Sequence, residues 1–500
     1  MDLNLIVPVK VGQAREEGDE ELNGTWWRVT GPHAFPDPDH LKFHCISYAW
    51  GPGKADKGSL FNCKIEISDQ TKPALEAAIR AASAVSAESG EAAIKAFWID
   101  AICIPQLQSP ERLKTLESMG FIYSAAASTI VILQDYTWGV IKAVGDSWRP
   151  MTSEEMQIVE QDGWASRVWT YQELVNSVNT YFTAISPTGR GQFVSAGRLL
   201  DCVGISLRKW QQAKDFGISQ TLITFPNLNH LSDSLLDWRL AGMIDRSILG
   251  VLSNMNSRNF DPDYPGNRIL ACMGAISQDV SWGPESSTLA ERAEKLMRMC
   301  EAKGDYSFIY TSDIRDDIPG KRWRPNPHQP ESTTPVHLLP IATWHIESNK
   351  QQAGRLTSEG LWLDDMVRLE LVESISVATT LFLQRFLYGM EETGKPRSDG
   401  GGIYRGENRP EGTLVEVMLH FLKSIGYEGH HEPQVCERGL FYSQINLSGL
   451  KSVELYAASR LAWVFGKPGL ARWMEEGSIK YCAGIFVGAL DGVEKSGILL

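Results

Sequence analysis

The sequence predicts an α/β domain with a doubly wound parallel sheet near the N-terminus, followed by a largely α-helical C-terminal region. Three times over, a short apolar segment is followed by an amphipathic one, and this alternation of strand with helix is typical of parallel sheets. After about residue 200 the apolar spacing is mostly helical. We therefore expect five parts: an N-terminal extension at 1–42, the α/β domain at 43–200, a mostly helical region at 201–390, a loop or linker at 391–412, and an α+β segment at 413–500.

The first strand and helix are expected between residues 43 and 85. Residues 43–48 (FHCISY) form an apolar run that predicts a buried strand, and the Trp-Gly-Pro-Gly segment at 50–53 predicts a tight loop. Thr71 is suited to cap a helix that tolerates Pro73 in its first turn. Apolar residues then recur at helical spacing, which indicates one buried face.

Two further strands and helices complete the alternation. Residues 96–104 are almost continuously apolar, which suits a central parallel strand covered on both faces. Ser109 and Pro110 are a favourable helix start, residues 129–133 predict a third strand, and residues 166–175 predict a third helix. Such sheets bind ligands beyond the carboxyl ends of their strands, so functional side chains are expected there.

Outside this domain the patterns are weaker. Residues 1–42 show no clear period and are expected to be irregular. Helices are expected at 234–250, 288–303, 357–392, 413–425 and 453–464, and a terminal strand at 481–490. Residues 391–412 are rich in Gly and in charged residues, which predicts a loop or linker.

The composition excludes several classes of protein. The chain carries 48 Lys and Arg against 61 Asp and Glu, a net charge of −13, and has no basic run. Phosphate neutralisation needs clustered cations, so no broad nucleic-acid surface is expected. The eight cysteines are spread without a CxxC pair, and no signal peptide or membrane span is apparent. We therefore expect a cytoplasmic protein without disulfides.

Two carboxyl groups in the α/β region are candidates for chemistry. Asp100 interrupts an apolar strand, where a carboxylate is costly unless it is paired or hydrogen-bonded. It either faces a ligand or caps the loop that follows. Glu173 stands four residues after Trp169 on the third helix, on a different face from the apolar stripe. An aromatic ring beside a carboxylate suits a cationic or sugar-bearing ligand, and a solvated Glu beside an interfacial Trp is the alternative.

Phosphate-loop and metal patterns are absent or incomplete. The Gly51-Pro52-Gly53-Lys54 loop does not fit the Walker pattern, and no GxGxxG follows a strand. His430, His431 and Cys436 are the only cluster of metal-ligand type and lack a second half, so no metal is expected.

Three blocks of the sequence resemble the HET (heterokaryon incompatibility) domain of filamentous fungi. They are CISYAWG at 45–51, FWIDAICIPQ at 97–106 and WASRVWTYQE at 164–173, in the family's order. One residue departs from the family pattern, because Pro105 stands where Asn is usual. Proline removes an N–H donor and stiffens this loop.

The resemblance implies a fold and a function. HET domains are similar to TIR domains, which have a flavodoxin-like α/β sheet, and some TIR domains cleave NAD⁺ with a Glu that follows a Trp on the third helix. By this likeness Glu173 is the expected catalytic residue of an NAD⁺ glycohydrolase in heterokaryon incompatibility or programmed cell death, with NAD⁺ or a related nucleotide as substrate and no cofactor. The expected substrate-binding residues are Ser47, Tyr48, Trp50, Gly51, Asp100, Gln106 and Trp169.

Two other functions remain open at this point. The domain is either a non-enzymatic module that assembles with itself or with an unknown partner of a cell-death pathway, or an enzyme of the same fold recruited to another small-molecule substrate. Fold analogy alone does not choose among them.

Overall fold

The structure is a computed structural model. It describes residues 1–35, 41–51, 53–56, 60–63, 66–90, 92–105, 109–189, 191–214, 218–239, 248–256, 258–259, 266–277, 288–310, 315, 317–326, 352–390, 402–404, 410–461, 466–490 and 493–500. The chain divides into two compact units. The first comprises Met1–Arg208, Asn227–Ile244 and Met273–Glu285, and the second comprises Lys209–Pro226, Asp245–Cys272 and Ser286–Leu500.

The first unit is built on an eight-stranded sheet. In chain order its strands are β1 (Asp2–Pro8), β2 (Glu20–Leu22), β3 (Thr25–Ala34), β4 (His44–Tyr48), β7 (Phe97–Ile99), β8 (Ser128–Leu133), β9 (Thr180–Ala184) and β10 (Val194–Ser195); β5 (Lys54–Ala55) and β6 (Ile67–Ser68) form a separate hairpin. The order across the sheet is β10-β9-β8-β4-β7-β1-β3-β2. Strands β7, β4, β8 and β9 are parallel, and by chain order they stand 2-1-3-4. This is the beginning of the flavodoxin-like order, so the predicted α/β class is confirmed.

Short helices flank this sheet. They are α1 (Thr71–Ser89), α2 (Asp100–Cys103), α3 (Pro110–Glu117), α4 (Met119–Ala125), α5 (Trp138–Asp146), α6 (Ser153–Glu160), α7 (Gly163–Ser166) and α8 (Val168–Val175). Ser109 accepts a hydrogen bond from the backbone N–H of Arg112, which confirms the predicted start of α3. The large side chains of Trp98 and Tyr123 are fully buried between sheet and helices.

Three predicted elements of this unit are present but have different bounds in the structure. Residues 96–104 do not form one long strand, because β7 ends at Ile99 and α2 begins at Asp100. Thr71 is the first residue of α1 rather than its cap, and its hydroxyl bonds Tyr48 instead. The third helix is divided at Arg167, whose extended backbone separates α7 from α8. At each of these boundaries a polar side chain, that of Asp100, Thr71 or Arg167, makes a contact that the spacing of apolar residues does not reveal.

The described part of the first 42 residues contains the strands β1, β2 and β3 rather than the irregular segment that we expected. Strand β1 pairs antiparallel with both β3 and β7, so it extends the parallel sheet. Leu5 and Ile6 are fully buried, and Trp27 packs its ring edge-on against Phe97. The apolar side chains of β1 and β3 therefore belong to the main core. The sequence did not reveal these strands because their buried residues do not alternate regularly.

Helices dominate the chain from residue 196 to residue 303. They are α9 (Ala196–Lys214), α10 (Ile218–Thr224), α11 (Pro226–Arg239), α12 (Ile248–Asn256), α13 (Gly266–Ile276) and α14 (Leu289–Lys303). Helix α14 has a complete capping box at Thr288 and Glu291, which explains why its start is legible in the sequence.

The remainder of the chain is mixed rather than largely helical. An antiparallel sheet contains β11 (Gly354–Leu356), β12 (Leu361–Leu369), β13 (Gln434–Cys436), β14 (Gly439–Ser443), β15 (Glu454–Ala458), β16 (Lys467–Glu475), β17 (Ser478–Gly488) and β18 (Ser496–Leu499), with helices α15 (Val377–Tyr388) and α16 (Leu414–Ser424). Helix α16 and strand β17 were predicted and are confirmed. Most of the expected loop at 391–412 lies outside the described residues.

Two helix predictions in this region were wrong. The segment 357–392 contains the strand β12 before α15, and the described part of 453–464 contains the strand β15. Strand β12 buries alternate residues such as Leu361 and Leu363, a period of two that a search for helical spacing overlooks. No helix among the described residues is both long enough and apolar enough to cross a membrane.

Candidate active site

A chain of hydrogen bonds joins the first and third sequence blocks at the carboxyl end of β4. The indole Nε1 of Trp164 donates to Ser47 Oγ at 2.7 Å. Ser47 Oγ in turn donates to Glu173 Oε2. All three side chains are buried, and Glu173 is only 6% exposed. The blocks that stood apart in the sequence therefore meet around one carboxyl group.

The direction of this chain is fixed by chemistry. An indole N–H can only donate, so Trp164 occupies a lone pair of the Ser47 oxygen. The Ser47 hydroxyl hydrogen is then directed at Glu173. Tyr123, on helix α4, makes a second side-chain hydrogen bond with the Glu173 carboxyl. The carboxyl group thus has two hydroxyl partners, each suited to stabilise its ionised form.

The site gives Glu173 a pKa near neutrality. Burial raises the pKa from 4.5 to about 7, the Ser47 hydrogen bond opposes this rise, and the negative charge of Asp100 adds to it. The positive charge of Arg167 and the Tyr123 hydrogen bond also oppose it. A substantial fraction of the carboxyl group is therefore ionised around pH 7, and a pKa perturbed this strongly is typical of functional sites.

Asp100 lies at the end of the neighbouring strand β7, where its carboxyl group has a local backbone contact and several electrostatic contacts. Its Oδ1 accepts a hydrogen bond from the backbone N–H of Ala101 at 2.7 Å, within the first turn of α2. Burial raises its pKa, while the Ala101 bond, the charge of Arg167 and a side-chain hydrogen bond from Trp50 lower it. Asp100 is thus anchored locally and also acts electrostatically on Glu173.

Arg167 is a residue of this site that the sequence analysis missed. It occupies the N-cap position of α8, and its Nη1 donates to the carbonyl oxygen of Tyr48 at 3.4 Å. Its positive charge lowers the pKa of both Asp100 and Glu173. The sequence did contain a signal for such a residue. Asp100 and Glu173 both lie among apolar residues, and two buried carboxylates need a cation nearby. Trp164 and Tyr123 were also missed, because their contacts with the site span long stretches of chain.

The predicted loop after β4 presents an aromatic surface. The rings of Tyr48 and Trp50 are stacked with centroids 6.4 Å apart, and Trp50 is 39% exposed. Tyr48 is held by a 2.7 Å hydrogen bond between its hydroxyl and Thr71 Oγ1. The N–H of Gly51 donates to Ser68 Oγ at 3.2 Å. This surface borders the strand end that carries Ser47.

A pocket of about 440 Å³ lies beside this loop. Ser68, the partner of Gly51, is part of its wall. The described residues lining it are Ala55, Leu60, Ile67, Ser68, Asp69, Lys72, Pro73 and Glu76. The wall combines apolar residues with two acidic residues, Asp69 and Glu76, and one basic residue, Lys72, around the start of helix α1.

For two other predicted site residues, Trp169 and Gln106, the structure gives no hydrogen bond to the cluster around Glu173 among the described residues. Trp169 is partly buried against the main core. Gln106 lies outside the described residues, and Pro105 before it is partly buried. The alternative that Glu173 is a solvated residue was wrong, because its side chain is buried. Helix α8 is only eight residues long, and seven of them are buried, Glu173 included.

Comparison with protein families agrees with the three blocks. Residues 43–173 match the family described as heterokaryon incompatibility protein (HET). These residues are a HET domain. The match begins one residue before β4 and ends at Glu173 itself, so it encloses the hydrogen-bonded cluster. It covers about a quarter of the chain. Searches of curated proteins and of solved structures found no match.

Within the described residues, no group of three or more His, Cys, Asp or Glu side chains is arranged to hold a metal ion. The cluster at 430–436 is dispersed: Cys436 is buried in strand β13, and His431 is exposed. All eight cysteines are free thiols, and Cys45 and Cys103 are buried in the main core as predicted.

Proposed function

We propose that the HET domain cleaves the nicotinamide–ribose bond of NAD⁺, with Glu173 as the catalytic carboxylate. The observation that carries this proposal is the buried cluster in which Ser47 and Tyr123 hold the Glu173 carboxyl beside Asp100. With a pKa of about 7, a substantial fraction of Glu173 is ionised at neutral pH, and the ionised form is the one that stabilises positive charge on a ribose.

The chemistry needs little beyond an oriented carboxylate. When the bond between ribose C1′ and nicotinamide breaks, the electron pair leaves with nicotinamide, which departs as a neutral molecule. Positive charge then develops on the ribose, and the ionised Glu173 stabilises it. Water adds to C1′ and releases one proton, so the products are nicotinamide, ADP-ribose and H⁺. Because the leaving group is neutral, no strong general acid is required.

Other residues of the cluster have supporting roles in this proposal. The hydroxyl of Ser47 orients the Glu173 carboxylate. The exposed face of Trp50, stacked on Tyr48, offers a surface for a flat heterocycle. Asp100 and Arg167 set the charge around the ribose. Gly51, Gln106 and Trp169 stay proposed substrate contacts, and the likeness to TIR domains is part of this proposal.

A second function is favoured by one specific observation. Glu173 is buried and already hydrogen-bonded, which is also what a purely structural carboxyl group in an assembly module would show. In that case the domain acts in heterokaryon incompatibility only by binding partners. A recruited enzyme with another small-molecule substrate is the third case, and the stiffened loop at Pro105 is the feature that sets this chain apart from the family pattern.

The test is to incubate the pure full-length protein with NAD⁺ at several protein concentrations and measure free nicotinamide. The proposal expects release by the parent and none by Glu173→Gln. A matched control is Glu88→Gln, because Glu88 is an exposed residue near the end of α1. A parent that releases no nicotinamide at any concentration would favour the assembly module.

A further inference from the structure

Behind Glu173, three helices meet at an unusually close junction within the first unit. They are α4, α8 and the last turn of α13, at residues 273–277. The side-chain Nδ2 of Asn176 donates to the carbonyl oxygen of Gly274 at 2.7 Å, and both groups are buried. The two residues are 98 positions apart in the chain. This turn therefore reaches the HET domain from outside the matched residues 43–173.

Two glycines line this contact, one on each side. A Cβ at Gly120, on α4, would collide with the backbone carbonyl oxygens of Gly274 and Ser277, so α4 can approach the turn this closely only with glycine there. A Cβ at Gly274 would overlap Oε1 of the Gln172 side chain and lie 3.3 Å from the backbone nitrogen of Gly120. A side chain at position 274 would therefore act mainly on Gln172.

The side chain of Gln172 is held here by packing rather than by a full set of hydrogen bonds. It is completely buried, and its Oε1 has no hydrogen-bond donor among the described residues. Its Nε2 faces Met119 Sδ at 3.8 Å, a weak contact. An unpaired buried amide oxygen is costly, so hydrogen bonding of this oxygen does not explain the position of the side chain. Gln172 is the residue immediately before Glu173.

The junction controls both helices that meet at the candidate carboxyl group. Helix α8 carries Glu173 between Gln172 and Asn176, the two residues that contact Gly274. Helix α4 carries Tyr123, the hydroxyl partner of Glu173, one turn after Gly120. A shift of the turn at 273–277 would therefore change the distance between Tyr123 and Glu173.

We propose that Gly274 and Asn176 are positioning residues, through which the turn at 273–277 holds Glu173 against Tyr123. The functional HET domain of this protein thus extends beyond residue 173 to include a segment about a hundred residues further along the chain. An effect of these residues on catalysis rests on the proposed function. Their effect on the geometry and pKa of the Glu173 carboxyl group does not.

The test uses the full chain with the variants Gly274→Ala, Gln172→Ala and their combination. The protonation of Glu173 is followed by the infrared carbonyl band of its neutral carboxyl group, assigned by the loss of that band in Glu173→Gln. In Gly274→Ala the added methyl group would overlap Oε1 of the buried Gln172. The displaced Gln172 shifts its neighbour Glu173, so the Tyr123 hydrogen bond weakens. Since that bond lowers the pKa of Glu173, we expect the pKa to rise by about one unit.

The combination discriminates positioning from general destabilisation. Shortening Gln172 to Ala removes the atom that the new methyl group would overlap, so the double variant should return to the parental pKa. Gly120→Ala should not be rescued by Gln172→Ala, because its methyl group meets backbone oxygens. Gly139→Ala is the matched control, since a Cβ there has no neighbour within 4 Å.

Asn176→Ala gives a second measurement should Gly274→Ala not fold, because it removes the contact without adding bulk. It should raise the pKa of Glu173 in the same direction. A folded Gly274→Ala or Asn176→Ala protein with the parental titration, or a double variant without recovery, would overturn the proposal. The infrared readout needs no turnover. A parent that fails to cleave NAD⁺ would therefore reject the proposed function without touching this result.

Discussion

The indole N–H of Trp164 donates to the hydroxyl oxygen of Ser47 at 2.7 Å, across 117 residues of chain. Trp164 has no other hydrogen-bonding role for its ring, so the contact orients Ser47. The consequence is that the Ser47 hydroxyl hydrogen points at Glu173. A residue deep in the core thereby determines the electrostatics of a carboxyl group that the sequence had singled out.

We predict that Ser47→Ala raises the pKa of Glu173 above its value of about 7, because one hydroxyl donor to the carboxylate is lost. The cleavage rate at pH 7 should fall roughly tenfold. A pKa raised by about one unit leaves less of Glu173 ionised, and the lost hydrogen bond leaves the carboxylate less well oriented. Trp164→Phe should act in the same direction but less strongly. Titration of the carboxyl infrared band measures both, and Ser153→Ala, at an exposed helix start, is the control. An unchanged pKa in Ser47→Ala would refute the hydrogen-bond chain.

The raised pKa of Glu173 also predicts how stability depends on pH. In the unfolded chain the group ionises near 4.5, and in the folded protein near 7. Between these values the folded state binds more protons, so the free energy of unfolding falls as the pH rises through this window. The contribution of this group alone is of the order of a few kcal/mol.

Glu173→Gln isolates that contribution, because other buried acids with raised pKa values, such as Asp162 and Asp305, titrate in the parent and in the variant alike. We expect thermal unfolding at pH 5 to be similar for the two proteins, and the variant to melt several degrees higher at pH 8. A variant that is less stable than the parent at pH 8 would show that the charged carboxylate is a net stabilising group.

Much of the fold could be predicted from the sequence, and the reasons are physical. Parallel strands such as β4 and β8 are buried on both faces, so their apolar runs stand out. Strand β12 was misassigned because its burial period of two lies within a segment that also contains the helix α15. Strands β1 and β3 were missed because neither buries alternate residues along its length: Leu5 and Ile6 of β1 are adjacent, and Trp27 is the buried residue of β3.

The candidate site was partly predictable for a related reason. Asp100 was visible because a carboxyl group in an apolar segment is conspicuous. Glu173 was visible because it stands four residues after Trp169 and by the resemblance to TIR domains. Tyr123, Trp164 and Arg167 were not, because each acts through tertiary contacts that local spacing does not encode. The junction at Gly274 belongs to the same class, since its partners lie about a hundred residues away.

We further predict that specific activity rises when the protein self-associates. Glu173 is 6% exposed in a single chain, so the substrate needs a rearrangement to reach it. By resemblance, TIR-like enzymes complete their sites across an interface between copies. A dilution series, with the oligomeric state followed by light scattering, should show nicotinamide release per protein falling as the protein dissociates. The idea would be lost if specific activity were the same at every concentration.

The most direct test of the account is nicotinamide release from NAD⁺ by the assembled parent and by Glu173→Gln. Gln has nearly the same shape, so the variant should fold, with the stability profile described above. Losing one oriented charge at the ribose should reduce the rate by about 10²–10³, the scale known for oriented groups at other developing charges. The account predicts release by the parent and by Glu88→Gln, with almost none by Glu173→Gln. A folded Glu173→Gln protein that cleaves NAD⁺ as fast as the parent, or an assembled parent that cleaves none, would contradict it.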